Sequence, residues 1–335
     1  NASHDTITAS YYDSQQAGFG TTDNENKGKL TSALTCKEFF SGWDFENVWS
    51  IEEGESYPYL KWEGEEGKRK ADTGEIMGGE GTEGNPYRIG TGGGLKSIMY
   101  ELSGKYLMMN DIDLFGEMFT PIGTSSLYFR GSLDGDGHVL RGLKVSAAGY
   151  AGLFGKASYA TFKNLKIEGA EIESTGSYAG ILAGSINGGS LTGCSVSGTL
   201  VGTSLTGGYA GEASGNVKVQ ECRMEGSISA SGYTGGFFGK VSGTVEAEKC
   251  LVSGNVSGYE SVGGFAGWVP GKNGTLKECS VSGEIQGSSY IGGLIGKMEG
   301  YTAIENSYAS GSVSASGRGG YAGGLVGYRT YGTLT

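Results

Sequence analysis

The stretch Tyr290-Ile-Gly-Gly-Leu-Ile-Gly296 decides the fold, because the chain repeats its pattern many times. Tyr150 and Tyr321 begin the first and last copies, and the six intervals between them give a period of roughly 28 residues. Self-similarity at such a fixed period is the signature of a repeat architecture. The other copies occupy 178–184, 233–239, 261–267 and 321–327, with a shorter copy at 150–155 and a degraded copy at 209–215.

A second motif keeps the same period and reads apolar-x-x-Cys-x-apolar-x-Gly-x-apolar, with its best copies starting at Leu191 and Leu276. Its cysteines recur in step with the first motif. Apolar residues alternate with polar ones in each copy, which is typical of a strand with one buried face. We therefore predict a buried ladder of stacked positions that comprises Cys194, Cys222, Cys250, Cys279, Val196, Val252 and Val281.

A chain that repeats strands and turns at this period can pair each strand with its own copy only by coiling. The prediction is an all-β fold, a right-handed parallel β-helix in which glycines form the corners. A helical solenoid would need apolar residues at helical spacing, and a propeller blade is too long for this period. A solenoid of this kind is stable only collectively, since each turn contacts just its neighbours.

Composition and charge exclude several classes of protein. Collagen is excluded, because the 66 glycines do not recur at every third residue and the chain has only 4 prolines. A flexible linker is excluded, because the hydrophobic content of 37% is too high. The formal net charge of −11 opposes binding to nucleic acids and to anionic membrane surfaces. Because no apolar run reaches about 18 residues, we expect no membrane insertion, and we expect a mature or excised segment.

Four segments follow from these patterns. Residues 1–62 are rich in aromatic residues, and we predict that they form a compact terminal cap. Residues 63–85 are charged and Gly-rich, and we predict that they form a linker. Residues 86–148 read as the N-terminal cap and first strands, where Leu95, Ile98, Met99 and Leu102 have helical spacing. Residues 149–335 form the repeat β-helix.

The two ends of the chain share the register of the repeat. Written after Thr335, the N-terminal residues continue the pattern, so that Leu334-Thr-Asn1-Ala2 matches Ile304-Glu-Asn306-Ser307. We expect either a window cut from a tandem array or a subunit whose first strand completes the last turn of a neighbour. The candidate assembly residues are Asn1, Ala2, Ser3, Leu334 and Thr335.

The motifs resemble a known family. The repeated Gly292-Gly-Leu-Ile-Gly296 and Gly323-Gly-Leu-Val-Gly327 look like the GLUG repeat of bacterial surface proteins, found beside IgA-peptidase and adhesin regions. Asn85-Pro-Tyr87, Asn110-Asp-Ile-Asp-Leu114, Pro121-Ile-Gly123 and Asp134-Gly-Asp-Gly-His138 resemble the usual beginning of such an array, and Gly42-Trp-Asp-Phe45, Val48-Trp49 and Tyr57-Pro-Tyr-Leu60 its usual end. In this chain the motifs that resemble the end of an array come before those that resemble its beginning. The resemblance implies export and a location at the bacterial cell surface.

Three groups of residues invite a chemical interpretation. Cysteines stacked once per turn form a line rather than a tetrahedral site, so we expect structural thiols and no metal. Asp111, Asp113, Asp134 and Asp136 suit either Ca²⁺ or turn building, and turn building is favoured. A polysaccharide-degrading enzyme would need outward carboxylates on adjacent turns, but Glu168, Glu171 and Glu173 share one turn and Glu225 lies two turns on.

The tyrosine positions 150, 178, 209, 233, 290 and 321 form a further column, of which Tyr178, Tyr233, Tyr290 and Tyr321 are candidate ligand-facing residues. The predicted function is a non-enzymatic extracellular rod: an adhesin or stalk segment, or a head-to-tail filament subunit. A glycan-binding module and a polysaccharide-degrading enzyme are the alternatives. The expected partners are further copies or neighbouring repeats of the same protein and surface glycans or proteins, with no catalytic residue and no cofactor.

Overall fold

The computed structural model describes residues 11–13, 28–29, 31–40, 42–52, 56–66, 76–114, 117–271, 274–318 and 320–335. It divides the chain into two compact units, Asn1–Asn110 and Asp111–Thr335. The candidate assembly residues Asn1, Ala2 and Ser3 lie outside the described residues.

The first unit contains short elements. Its strands pair as Tyr12–Asp13 with Gly28–Lys29 (parallel), Trp49–Ser50 with Tyr59–Leu60 (antiparallel) and Tyr87–Ile89 with Lys105–Met108 (parallel). Its helical segments are Thr31–Leu34, Lys37–Phe39, Lys61–Glu66, Gly92–Lys96 and Ser97–Tyr100.

Aromatic side chains cluster within the first unit. Phe40 is 4% exposed and lies 4.8 Å from Trp43 between ring centroids, and Trp43 lies 4.5 Å from Trp49. Trp62, by contrast, is 79% exposed and does not contribute to this cluster.

The helical spacing expected around Leu95 is confirmed by Gly92–Lys96 and the following Ser97–Tyr100. The Thr91 hydroxyl accepts a hydrogen bond of 3.0 Å from the backbone N–H of Gly94, which caps the start of this Gly-rich helix. Leu95 and Ile98 are fully buried, whereas Met99 is 50% exposed. The predicted apolar stripe is therefore correct except at Met99.

The second unit is a parallel β-helix built from three sheets, each made of the same part of successive turns. Strands pair in parallel with their copy one turn later, as Leu191 with Val219 and Val196 with Met224 show. This confirms the predicted fold class. The period keeps identical positions above one another, so each apolar column stacks on itself.

The strands of the three sheets are as follows. Sheet I contains Ser132–Asp134, Phe154–Lys163, Ala183–Thr192, Ala210–Gln220, Phe238–Val241, Thr244–Glu248, Ala266–Val269, Gly274–Lys277, Ile295–Met298, Thr302–Glu305, Val326–Arg329 and Thr333–Leu334. Sheet II contains Ile112–Asp113, Val139–Arg141, Lys144–Ala147, Lys166–Ser174, Ser195–Gly202, Arg223–Ala230, Leu251–Ser257, Ser280–Ser282, Ile285–Gly287, Tyr308–Ser310 and Val313–Ala315. Sheet III contains Tyr150–Ala151, Tyr178–Ala179, Leu205–Gly207, Tyr233–Gly235, Ser261–Gly263, Tyr290–Gly292 and Tyr321–Gly323.

The corner between sheets I and II has a left-handed backbone at the residue just before each cysteine. Glu221, Lys249 and Glu278 have φ values of 55°, 55° and 54° there, although none of them is glycine. Positive φ values of this size are energetically unfavourable for residues other than glycine. The corner is thus maintained by stacking of the whole turn, since the local sequence does not favour it.

A column of glycines in sheet II is required by the close approach of neighbouring turns. Gly254 has φ of +149°, and a Cβ atom there would lie 1.9 Å from the carbonyl oxygen of Gly226. The equivalent Gly226 and Gly283 have the same kind of contact, each at 2.1 Å. Glycine in this motif therefore permits the spacing between turns.

One predicted copy of the repeat is wrong in its register. Tyr178 pairs with Leu205, and Leu205 pairs with Tyr233, so the copy begins at Leu205 rather than at Tyr209. Tyr209 instead stacks on Phe237 inside the core and is 0% exposed. Glu212 occupies an outward column between Ser185 and Lys240 and not an apolar position.

Candidate binding surface

The cysteine ladder lies in the core at the corner between sheets I and II. Cys194, Cys222, Cys250 and Cys279 are free thiols with at most 2% exposure. The thiols of Cys250 and Cys279 donate to the carbonyl two residues earlier, each at 3.3 Å. One turn later, the Ser307 hydroxyl makes the same contact at 2.8 Å. The ladder thus satisfies carbonyl groups at the corner.

The electrostatics of Cys194 and Cys250 fit a structural role. Hydrogen bonding to Cys222, together with burial, raises the pKa of Cys194 well above its usual value. Hydrogen bonding to Cys279 and burial raise the pKa of Cys250 in the same way. A raised pKa keeps a thiol protonated and unreactive at neutral pH. Among the described residues, no cluster of three or more His, Cys, Asp or Glu side chains is arranged to hold a metal.

The aspartates of the first turns make hydrogen bonds within the protein. Asp111 accepts from the backbone N–H of Val139 at 2.9 Å and from Arg141 at 2.7 Å, and these contacts lower the pKa of Asp111. Asp134 accepts from the backbone N–H of Asp136 at 2.9 Å. These contacts are those expected of carboxylates that build turns.

The outward glutamates of sheet II lie beside basic residues. Glu168 lies 3.6 Å from Arg141, and Glu171 lies 3.0 Å from Lys144. Each pair joins neighbouring turns, because Glu168 is in register with Arg141 and Glu171 with Lys144. Their geometry is that of ion pairs between turns.

The first residues of the sheet III strands form an outward column, which we call the tyrosine column. In order along the helix axis it comprises Tyr150, Tyr178, Leu205, Tyr233, Ser261, Tyr290 and Tyr321. Tyr150 and Tyr178 stack with centroids 4.6 Å apart and planes 2° apart. Tyr290 and Tyr321 stack at 5.6 Å and 13°. Ring faces therefore meet along the axis, and ring edges point to solvent.

At Ser261 the column lacks an aromatic ring, and Trp268 supplies one from sheet I. Ser261 is fully buried and donates to the carbonyl of Gly267 at 2.8 Å. The Trp268 ring stacks on Tyr233 at 4.8 Å with planes 27° apart. Trp268 lies in the outward column that holds Lys240 one turn earlier and Lys297 one turn later. Trp268 thus supplies the aromatic neighbour of Tyr233 at the turn of Ser261.

Polar groups fix the edges of these rings. The Tyr233 hydroxyl donates to Glu260 at 2.7 Å, and burial, followed by this contact, raises the pKa of Tyr233 to about 12. Trp268 Nε1 donates to Glu299 at 2.8 Å. The Lys297 ammonium lies 5.4 Å from the centroid of Tyr290 and 5.8 Å from that of Trp268, within reach of a cation–π contact.

The structure brings together Tyr290 and Tyr321 of the predicted ligand-facing residues, and it separates Tyr178 from Tyr233 by Leu205. Tyr178, Tyr233 and Tyr290 are half-buried, and Tyr321 is 55% exposed. Sequence reasoning missed Trp268, Lys240 and Lys297. Their recurrence once per turn is the available signal, but the residue type is not constant among them.

Comparison with known proteins agrees with this architecture. Residues 287–314 match the family model of the GLUG motif, which confirms the resemblance. Over 130 residues the chain is 32% identical to a protein of Evansella cellulosilytica described as a "Putative Gly-rich membrane protein". That match spans 36% of this chain and only 15% of the relative.

A solved structure shares the fold. It is described as a "putative immunoglobulin A1 protease" from Bacteroides ovatus, and the likeness has a TM-score of 0.56 at 20% identity. It covers 78% of this chain and 88% of that one. At this identity the likeness shows the fold alone. In the part of the chain that the structure describes, no helix is long and apolar enough to span a membrane.

Proposed function

We propose that this protein is a segment of a rod at the bacterial cell surface, with a structural and adhesive role and no catalytic one. The rod is extended when a further turn, from a neighbouring repeat of the same protein or from a second copy, stacks on the turn that contains Leu334. The observation that carries this proposal is the pairing of Ile304 with Leu334, which keeps the repeat in register through the last turn.

Among the described residues, the turn that contains Leu334 pairs with the turn of Ile304 on one side. Leu334 is 42% exposed, whereas Ile304, one turn earlier in the same column, is 2% exposed. Tyr321 is 55% exposed at the end of the tyrosine column. The strand edges of a parallel sheet are templates for pairing with another chain. A further turn in the same register would bury these residues as the inner turns are buried.

The remaining features suit a rod. The stability of a solenoid is a sum of contacts between neighbouring turns. Further turns can therefore be added by the same contacts that join the existing ones. Ion pairs between turns, such as Lys144 with Glu171 at 3.0 Å, add register-specific contacts on the surface. The surface location rests on the GLUG motif and on the relative named as a membrane protein.

The test is sedimentation velocity over a range of protein concentrations, with negative-stain electron microscopy of the same samples. The expected result is concentration-dependent association of the parent chain end to end, abolished by Leu334→Asp. Val201→Asp is the matched control, because Val201 is a 53% exposed apolar residue on a strand of sheet II away from the last turn.

A parent chain that stays monomeric at every concentration would overturn the association, as would equal association of the Leu334→Asp variant. The non-catalytic part of the proposal has its own test. Incubation with acidic polysaccharides should release no reducing ends above a buffer control, and release by the parent chain would refute it.

A further inference from the structure

Leu205 interrupts the tyrosine column between two rings whose other faces are already stacked. Tyr178 stacks on Tyr150 on one side, and Tyr233 stacks on Trp268 on the other. Leu205 is in register with both Tyr178 and Tyr233. The faces of Tyr178 and Tyr233 that remain are therefore turned toward the turn that carries Leu205.

The space between these two rings fits one flat ring. Neighbouring turns are about 4.8 Å apart, so Tyr178 and Tyr233 are separated by about 9.6 Å. Carbon atoms in contact lie about 3.5–4.0 Å apart, so a ring sandwiched between two others needs about 7–8 Å. A leucine side chain is shorter than a tyrosine, so we expect Leu205 to leave a notch between the outer halves of the two rings, with its own side chain as the floor.

The rim of the notch is polar. Glu212 lies on the same turn as Leu205 and accepts from the Ser242 hydroxyl at 2.6 Å. Lys240 lies 3.8 Å from Glu212. Glu260 holds the Tyr233 hydroxyl at 2.7 Å. Glu260 lies on the turn of Ser261, beyond Tyr233, so one carboxylate (Glu212) and one ammonium group (Lys240) border the two aromatic walls and the aliphatic floor.

We propose that this notch binds an uncharged sugar ring of a surface glycan. A pyranose has apolar C–H faces for stacking on the two tyrosine rings and hydroxyl groups at its edge, which Glu212 and Lys240 can hydrogen-bond. The net charge of −11 opposes an acidic sugar. The contact from Tyr233 to Glu260 holds that ring in place before the sugar arrives, which limits the entropy lost on binding.

The turn that carries Ser261 provides an internal comparison. There the ring is also absent from the tyrosine column, but Trp268 occupies the space. At Leu205 the corresponding outward residue is Glu212, which is not aromatic and lies beside Lys240 and Ser242. The notch therefore arises where one turn combines Leu205 with a carboxylate in the neighbouring column.

The test uses isothermal titration of the full chain with cellohexaose, mannohexaose and galactohexaose, and with hexagalacturonate as the acidic counterpart. At least one uncharged hexasaccharide should bind with Kd of about 1 mM or tighter. Leu205→Tyr restores the aromatic column and fills the notch, so it should weaken that binding at least about tenfold. Tyr178→Ala and Tyr233→Ala should do the same, while Leu205→Ala should retain binding.

Leu205→Tyr follows the pattern of the repeat, so it should leave the thermal unfolding midpoint unchanged or raised, which separates a filled notch from a misfolded chain. The proposal fails if none of the uncharged sugars binds, if only hexagalacturonate binds, or if Leu205→Tyr binds as well as the parent. This site goes beyond the structural role, and none of these variants touches the last turn, so association of the rod is a separate result.

Discussion

Tyr209 stacks on Phe237 with ring centroids 4.6 Å apart, and its hydroxyl lies 2.7 Å from the carbonyl oxygen of Cys194 and 2.9 Å from that of Arg223. A tyrosine thus occupies a phenylalanine position of the core and has its one polar atom satisfied by the backbone. This arrangement explains how Tyr209 can be fully buried.

The first prediction concerns this hydroxyl. Tyr209→Phe should lower the free energy of unfolding by about 1 kcal/mol, because a buried hydrogen bond is lost while ring packing remains. Urea denaturation is the measurement. Tyr159→Phe is the control, since Tyr159 is 73% exposed and its change should stay within about 0.5 kcal/mol. Equal effects in both variants would contradict the role assigned to the Tyr209 hydroxyl.

The second prediction concerns the glycine column of sheet II. Gly254→Ala should destabilise the protein by about 3 kcal/mol or prevent folding, because its Cβ would lie 1.9 Å from the oxygen of Gly226 at φ of +149°. Thermal unfolding followed by circular dichroism measures this. Gly149→Ala is the matched control, as a Cβ there meets nothing within 4 Å. A Gly254→Ala variant as stable as Gly149→Ala would refute the close approach of turns.

The third prediction concerns thiol reactivity. Of the 5 cysteines, the four of the ladder should not react with a disulfide reagent in the native protein, because they are buried in the core and the reagent cannot reach them. Cys36 is half-buried and should react first. All five should react in denaturant. Rapid native reaction of more than one thiol would show that the ladder is open to solvent.

The fourth prediction concerns alkaline pH. Burial raises the pKa of Tyr209 well above 10, and burial with the Glu260 contact raises that of Tyr233 to about 12. Each group is neutral in the folded state at a pH where the unfolded chain is ionised, so its contribution to stability is present below pH 10. That contribution is lost as pH rises from about 10 toward 12.

The measurement is urea denaturation at a series of pH values, together with ultraviolet titration of tyrosinate. Stability should fall with pH above about 10, and Tyr233→Phe should reduce the slope. A stability that is constant across this range would contradict the raised pKa values.

Much of the fold follows from the sequence because parallel stacking repeats itself. A constant period with alternating apolar residues places Cys222 above Cys194 and Val281 above Val252, and the structure pairs the neighbouring strands in that register. The helix at Gly92–Lys96 follows from the spacing of Leu95 and Ile98. Met99 departs from that pattern because the turn after the helix is of the tighter 3-10 type.

The candidate site follows from the sequence only in part. Tyr178, Tyr233, Tyr290 and Tyr321 are visible as a column, but the gap at Leu205 is hidden by the nearby Tyr209. A copy that begins at Leu205 and a copy that begins at Tyr209 both preserve the local alternation of apolar and polar residues. Only pairing with the turns on either side distinguishes them.

What the sequence by itself determined is the parallel β-helix. Its period and its Gly and Cys columns can be read directly from the recurrence of one short motif along the chain. Only the tertiary structure decided that Tyr209 enters the core, that Leu205 opens the tyrosine column and that Trp268 fills the gap at Ser261. The physical reason is that these outcomes depend on contacts between side chains of adjacent turns, such as the Trp268 ring on Tyr233 at 4.8 Å. Such contacts join residues about one period apart that share no local pattern.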